Sequence, residues 1–260
     1  MFEQNLPDSL KVETDGNLLR VVLARPAKRN ALNDATILGL EHIFTTLPSG
    51  LGAVILSGEG DHFSAGLDLS ELRERDAMEG VHHSRMWHRA IESIQSSAVP
   101  VVAVLRGAVV GGGLELASAA HIRVAEPSTF YAFPEGQRGI FVGGGASVNV
   151  SRLIGVARMM DMMLTGRVVK AEEGAAIGFA QYLVGEGEGM KKAHELATRI
   201  ASNAPATNYA ITNVLPRIGE LGQEQGLLME ALIAGITQST PEAKARIQQF
   251  LEKKAKRLGD

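Results

Sequence analysis

Residues 101–125 read VVAVLRGAVVGGGLELASAAHIRVA. VVAVLRG (101–107) is a short apolar run of the buried-strand type. LELASAA (114–120) has the spacing of a short helix, and HIRVAE (121–126) that of a further strand. Gly111 to Gly113 join strand to helix, and without Cβ atoms the backbone there can come close to a ligand. A strand, a tight turn, a helix and another strand within so few residues point to an α/β domain with parallel pairing.

The same rhythm extends outward. SLKVET and LLRVVLA, joined by Asp15-Gly16-Asn17, form an expected hairpin over 9–24. A helix is expected from Asn33-Asp34 to about Leu47, with Asn33 as its cap. GAVILSG (52–58) is a second buried strand, and a polar helical stretch covers about 69–97 before Val99-Pro100 breaks it. From Met190 onward the segments read as helices separated by Pro205, Pro216 and Pro241. The expected division is an α/β core at 1–190 and a helical region at 191–260.

Composition narrows the function classes. The 260 residues carry 26 Lys and Arg against 29 Asp and Glu, a net charge of −3. That balance speaks against a dedicated nucleic-acid binder. With no cysteine in the chain, disulfides, thiolate zinc sites and cysteine nucleophiles are excluded. MFEQNLPDSLKVETD lacks the basic and apolar regions of a targeting segment, and no apolar run is long enough to span a bilayer. A cytoplasmic protein with no membrane partner is expected.

Three stretches can carry chemistry. In RGAVVGGGLELA (106–117), helix-opening amides have no internal partner and favour negative charge. Glu115 lies in the first turn of that helix. It reads either as a group beside a bound ligand or as an ordinary N-terminal helix acid. HFSAGLDL (62–69) is another small-residue turn after a strand, where Ala65 could expose a free amide; the plain alternative is a loop with Asp68 as helix cap. In FYAFPEGQRGIFVGGGAS (130–147), Glu135 follows an apolar run. Burial there would raise its pKa and suit it to proton transfer, whereas an exposed turn would leave it ordinary. Two candidate amide donors and two candidate carboxylates make a set suited to chemistry beside a carbonyl. A dinucleotide fingerprint fits poorly, because Leu-Glu-Leu follows the glycines, and no Gly-Lys pair exists for a phosphate loop.

LARPAKRNAL (23–32), HFSAGLDL (62–69), VPVVAVLRGAVVGGGLELASAAHIRVA (99–125) and FPEGQRGIFVGGG (133–145) resemble, in order and spacing, the enoyl-CoA hydratase/isomerase (crotonase) superfamily. The resemblance spans nearly the whole chain. It implies a crotonase-like spiral of ββα units with a C-terminal α-helical trimerisation region, hence a homotrimer or homohexamer built as a dimer of trimers. It implies that Ala65 and Gly112 donate their amides to a thioester oxygen and that Glu115 and Glu135 handle water and the α-proton. It places Lys28, Ala31, Ser64, Ala65, Gly66, Leu67, Asp68 and Gly112 at the coenzyme A thioester. No metal or redox cofactor is implied, since coenzyme A is part of the substrate.

The chemistry of these residues agrees with the resemblance. Water attack on the β-carbon of an enoyl thioester pushes charge onto the carbonyl oxygen, where each of two preorganised amides could supply about 3 kcal/mol. Two carboxylates favour hydration over isomerisation, although the superfamily also reaches hydrolysis and decarboxylation. Three departures from the family pattern stand out. Val142 replaces a common proline, Ala146-Ser147-Val148-Asn149 replace Gly-Thr-Gln-Arg, and Phe133 is bulkier than usual. They suggest an altered acyl pocket, taking an aromatic, cyclic or branched chain. His82, His83 and His88 lack the i, i+4 spacing of a helical metal pair. The resemblance places this segment at the border of the acyl pocket, where Met86 and Trp87 read either as substrate contacts or as plain packing residues. Lys28 and Arg29 read equally as phosphate contacts or plain surface charge. A non-catalytic RNA- or protein-binding member acting through the basic end KKAKR (253–257) is the rival from another class.

Overall fold

The computed structural model describes residues 6–71 and 74–252, without the side chain of Glu71. The expected hairpin forms as β1 (Leu10–Asp15) and β2 (Leu18–Leu23), paired antiparallel from Leu10↔Leu23 to Asp15↔Leu18. Helix α1 (Asp34–Thr45) starts at the expected cap, where the Asn33 side chain accepts from the Thr36 amide. Strand β3 (Ala53–Gly58) is buried along its whole length and pairs parallel with β2. Helix α2 (Ala77–Gln95) begins later than the expected residue 69. Its start is fixed by a capping box between Asp76 and Glu79, and the stretch before it opens with a short 3-10 turn, Leu69–Glu71.

The deciding stretch divides more finely than its hydropathy suggests. β4 (Val101–Leu105) and β5 (Ala108–Val110) are separate strands, turned at Arg106-Gly107. Helix α3 (Gly112–Ala119) follows, then β6 (Ile122–Ala125) and β7 (Phe130–Ala132). α4 (Ala146–Ile154), α5 (Val156–Thr165), β8 (Val169–Lys170), α6 (Ala171–Ile177) and β9 (Tyr182–Leu183) complete the run. The strands form two sheets, and from β4 to β7 the chain alternates between them. One has the order β1-β2-β3-β4-β6-β9 and the other β5-β7-β8. Isolated parallel bridges, Ser64↔Val109 and Leu32↔Leu67, extend the second sheet into the loop after β3.

Both faces of the larger sheet are covered. One cluster packs Leu19, Val21, Val54, Leu56 and Ala103 against α1, α2 and α3. The other packs Ile55, Val102 and Val104 against Ala193, Leu196 and Ala197 of α7 (Gly189–Ala201). Helix α7 therefore belongs to the core layers, and the expected boundary at 190/191 falls inside it. The helical region proper starts with α8 (Pro205–Tyr209). A π turn over 210–214 then leads into α9 (Leu215–Ile218). Pro216 cannot donate an amide and would crowd the carbonyl four residues back, which accounts for the widened turn. α10 (Gln223–Ser239) and α11 (Pro241–Leu251) end the described chain. The basic end 253–257 lies outside the described residues. No helix among the described residues is long and apolar enough to cross a membrane.

One buried side chain fastens the loop between β2 and α1. Asn30 adopts a left-handed backbone (φ 53°) that few non-glycine residues tolerate. Its Nδ2 donates to the carbonyls of Glu59 and His62, and its Oδ1 accepts from the Arg25 amide. Asn30→Ala leaves those buried groups without partners, so a loss of roughly 2–4 kcal/mol is expected in urea unfolding. A loss below about 1 kcal/mol would show that this loop is held by other contacts.

Candidate active site

The two sheets bring three glycine-containing turns to the rim of one cavity of about 470 Å³. The first turn follows β3. Ser64 Oγ donates to the Asn30 carbonyl and accepts from the Gly66 amide, fixing the turn from inside. The amide of Ala65 donates to the Arg29 carbonyl at 2.9 Å. It is therefore not the free donor expected from sequence. Leu67 is. Its neighbours in the chain pair with Leu32, the Gly66 carbonyl accepting from the Leu32 amide and the Asp68 amide donating to the Leu32 carbonyl. The parallel register leaves the Leu67 N–H without a partner among the described residues and on the cavity wall.

The second turn opens α3. Gly111 donates to the Ala132 carbonyl, while the Gly112 amide, at the first helical position, finds no acceptor among the described residues. A Cβ built on Gly112 would lie 3.4 Å from the Leu67 nitrogen, so the two free amides are neighbours. The same Cβ would lie 2.8 Å from the Trp87 ring, which packs over this end of the cavity. Gly111 has φ 51°, and a Cβ there would fall 2.6 Å from Glu135 Oε1. Only glycine meets both demands.

The carboxylates sit beside these amides. Glu115 is only 4% exposed. Its Oε1 accepts from the amides of Gly144 (2.8 Å) and Ala146 (3.3 Å) at the third turn. Burial pushes its pKa up to about 7, against the lowering effect of those two amides, and the charge of Glu135 adds to the rise. Glu135 is 8% exposed, not the exposed turn residue of the plain reading. Burial raises its pKa too, opposed by its own backbone amide and by Arg138. Its Oε2 is buried without a hydrogen-bond partner among the described residues, a setting that favours the neutral acid.

The other expected ligand residues divide. Ala65, Gly66, Leu67 and Gly112 line the cavity; Lys28, Ala31, Ser64 and Asp68 do not. Ser64 is fully buried and acts as an internal brace. Asp68 is no cap for a long helix. Its Oδ1 accepts from the Ser70 amide and hydroxyl, and its Oδ2 holds Arg25 (2.6 Å) and Lys28 (3.0 Å). Hydrogen bonds from Ser70, and then from Arg25 and Lys28, hold its carboxyl below the usual range against the opposite pull of burial. Lys28 is thus paired, with its side chain half exposed beside the turn. Ala31 gives its carbonyl to the Arg25 guanidinium. Among the departures from the family pattern, only Val142 reaches the cavity wall. Phe133 is fully buried in the core. Ala146 lends its amide to Glu115, and 147–149 line a separate groove. Of the α2 candidates, His83 and Trp87 line the cavity, while Met86 packs against the core.

The family model described as enoyl-CoA hydratase/isomerase matches residues 13–260. The chain belongs to the enoyl-CoA hydratase/isomerase family. The short-chain-enoyl-CoA hydratase of Clostridium acetobutylicum is 30% identical over 246 residues, covering 94% of each chain. Among solved structures, one from Rhodopseudomonas palustris is 59% identical, with a TM-score of 0.92 over 95% of both chains. An enoyl-CoA hydratase from Bacillus anthracis is 28% identical, with a TM-score of 0.88 over 94% of this chain and 96% of that one. The ββα spiral expected from the resemblance is therefore the fold of this enoyl-CoA hydratase/isomerase member.

Two features of the family member escaped the sequence reading. Which amide of Ser64–Leu67 is free depends on the register of a one-residue bridge, and no residue type encodes that. The Gly143–Gly145 run was visible, but its use was not. A Cβ at Gly144 would lie 2.5 Å from Glu115 Oε2, so the glycine admits the carboxylate.

The raised Glu115 pKa has a consequence for stability. Below an ordinary glutamate pKa of about 4.5 the group is neutral in both folded and unfolded chains, and burial carries no charge penalty. As pH rises to about 7 the unfolded chain ionises first, so the folded state loses up to roughly 3 kcal/mol relative to it. Glu115→Gln keeps an acceptor for Gly144 and removes the charge. Its Tm should exceed that of the wild type by several degrees at pH 8 and by little at pH 4.5. A difference independent of pH would contradict the burial of an ionisable group there.

Proposed function

We propose that this protein is an enoyl-CoA hydratase, a hydro-lyase that adds water across the α,β double bond of a 2-enoyl-CoA thioester. The observation that carries this reading is the meeting of two unpaired amides, Leu67 and Gly112, with two buried carboxyls, Glu115 and Glu135, around one cavity. The amides receive the thioester oxygen and stabilise the enolate as charge builds on it. Glu115, held by Gly144 and Ala146, takes a proton from water as it attacks the β-carbon. Glu135, whose pKa burial raises, delivers a proton to the α-carbon. No net proton is consumed, because water supplies both the hydroxyl and, through the pair, the hydrogen.

The nucleotide of coenzyme A is assigned to the side of the turn carrying Lys28 and Ala31, where cationic side chains stand over Asp68. Self-association as a trimer or a dimer of trimers is part of the same proposal. It is supported by Leu227, Leu228, Leu232 and Ile236, which α10 leaves exposed.

Incubation with crotonyl-CoA should yield 3-hydroxybutyryl-CoA, identified by mass. Glu115→Gln and Glu135→Gln should each lower kcat by about 10²–10⁴-fold. For the wild type, kcat/KM should follow a bell-shaped pH profile, because the active form holds one proton between the two carboxyls. Full activity in either variant would remove that residue from its assigned role.

A further inference from the structure

The cavity wall holds polar groups that hydration of a plain hydrocarbon chain does not use. Arg75 stands just before the Asp76 cap of α2, and Arg138 lies in the 3-10 turn after Glu135. His83 projects from α2, its Nε2 held 2.8 Å from Asp34 Oδ1. Neither Arg75 nor Arg138 forms an ion pair with a described acid. The rest of the wall is largely apolar and includes Leu69, Ile140, Val142 and the 71%-exposed Phe141. The cavity is long as well. The α2 wall runs from Trp87, packed on Gly112, past His83 to Gly80, about 10 Å along the helix. A four-carbon acyl group does not fill it.

We propose that the acyl group carries a carboxylate at its far end, held by Arg75 and Arg138: a 2-enedioyl-CoA with an apolar middle. This deepens the hydratase reading and rests on it. A guanidinium matches a carboxylate as a planar, two-pronged donor. Arg138 sits one 3-10 turn from Glu135, its amide donating to the Glu135 carbonyl (3.0 Å), and both line the cavity, which puts it on the acyl side of the thioester rather than on the nucleotide side. The distal carboxylate takes no part in bond making. Water still adds its hydroxyl to the β-carbon and a proton to the α-carbon.

Binding of unreactive saturated thioesters tests this separately from the reaction. Adipoyl-CoA and hexanoyl-CoA have six acyl carbons and differ only in the terminal carboxylate. Calorimetry on the wild type should show adipoyl-CoA binding about tenfold more tightly. Arg75→Gln and Arg138→Gln should each erase most of that ratio, with Tm checked for intact folding. Hex-2-enedioyl-CoA should exceed hex-2-enoyl-CoA in kcat/KM through a lower KM. Equal or weaker binding of adipoyl-CoA overturns the proposal even where crotonyl-CoA is hydrated. So does an equal loss of both ligands in the variants that disappears with pantetheine thioesters, since that pattern assigns the arginines to the coenzyme phosphates. Absence of hydration with every enoyl thioester, alongside selective adipoyl-CoA binding, would sink the hydratase reading and leave the carboxylate site standing.

Discussion

The Glu115 carboxylate, buried and bonded to the amides of Gly144 and Ala146, ties the start of α3 to the start of α4. The rest of the site is arranged around that tie. Bringing a carboxyl so far from water needs donors at close range, and the Gly143–Gly145 turn provides them without a Cβ in the way. The two amides reduce the rise in the Glu115 pKa without cancelling it, so burial still lifts it to about 7. That is the range in which a base can take a proton from water and return it. Folding alone would be served better by an uncharged side chain here. The cost is local, and a larger sheet packed on both faces carries it.

The two-sheet spiral explains why free amides occur where they do. Strand β5 ends directly at the first turn of α3, and the loop after β3 runs beside β5 through the Ser64↔Val109 bridge. Two chain segments thus end side by side, each with one N–H pointing away from its ladder. Trp87 closes over Gly112 and Glu135 approaches through Gly111, which leaves a mostly apolar chamber. In such surroundings, hydrogen bonds to a developing oxyanion are stronger than in water.

Much of this was legible in the chain. The apolar runs at 52–58 and 101–107 marked buried strands, Asn33 marked a helix start, and Glu115 and Glu135 stood out by their place beside glycines and an apolar wall. Other features could not be read locally. β5, β7 and β8 are only two or three residues long, too short for periodicity, and they exist because neighbouring strands accept them. Helix α7 reads as part of a helical tail, yet its Ala193, Leu196 and Ala197 face the sheet. Ala65 and Leu67 differ only in which carbonyl lies opposite. Tertiary pairing took Ala65 for Arg29 and left Leu67 without a partner among the described residues. Lys28 and Asp68 looked like ligand contacts and are first of all each other's partners.

The most direct test of the amide pair is a crystal structure with a bound acyl-CoA that cannot be hydrated. The thioester oxygen should lie about 2.7–3.1 Å from both the Leu67 and Gly112 nitrogens, with the α- and β-carbons between Glu115 and Glu135. An oxygen bound at Ala65, or a thioester outside this cavity, would contradict the account.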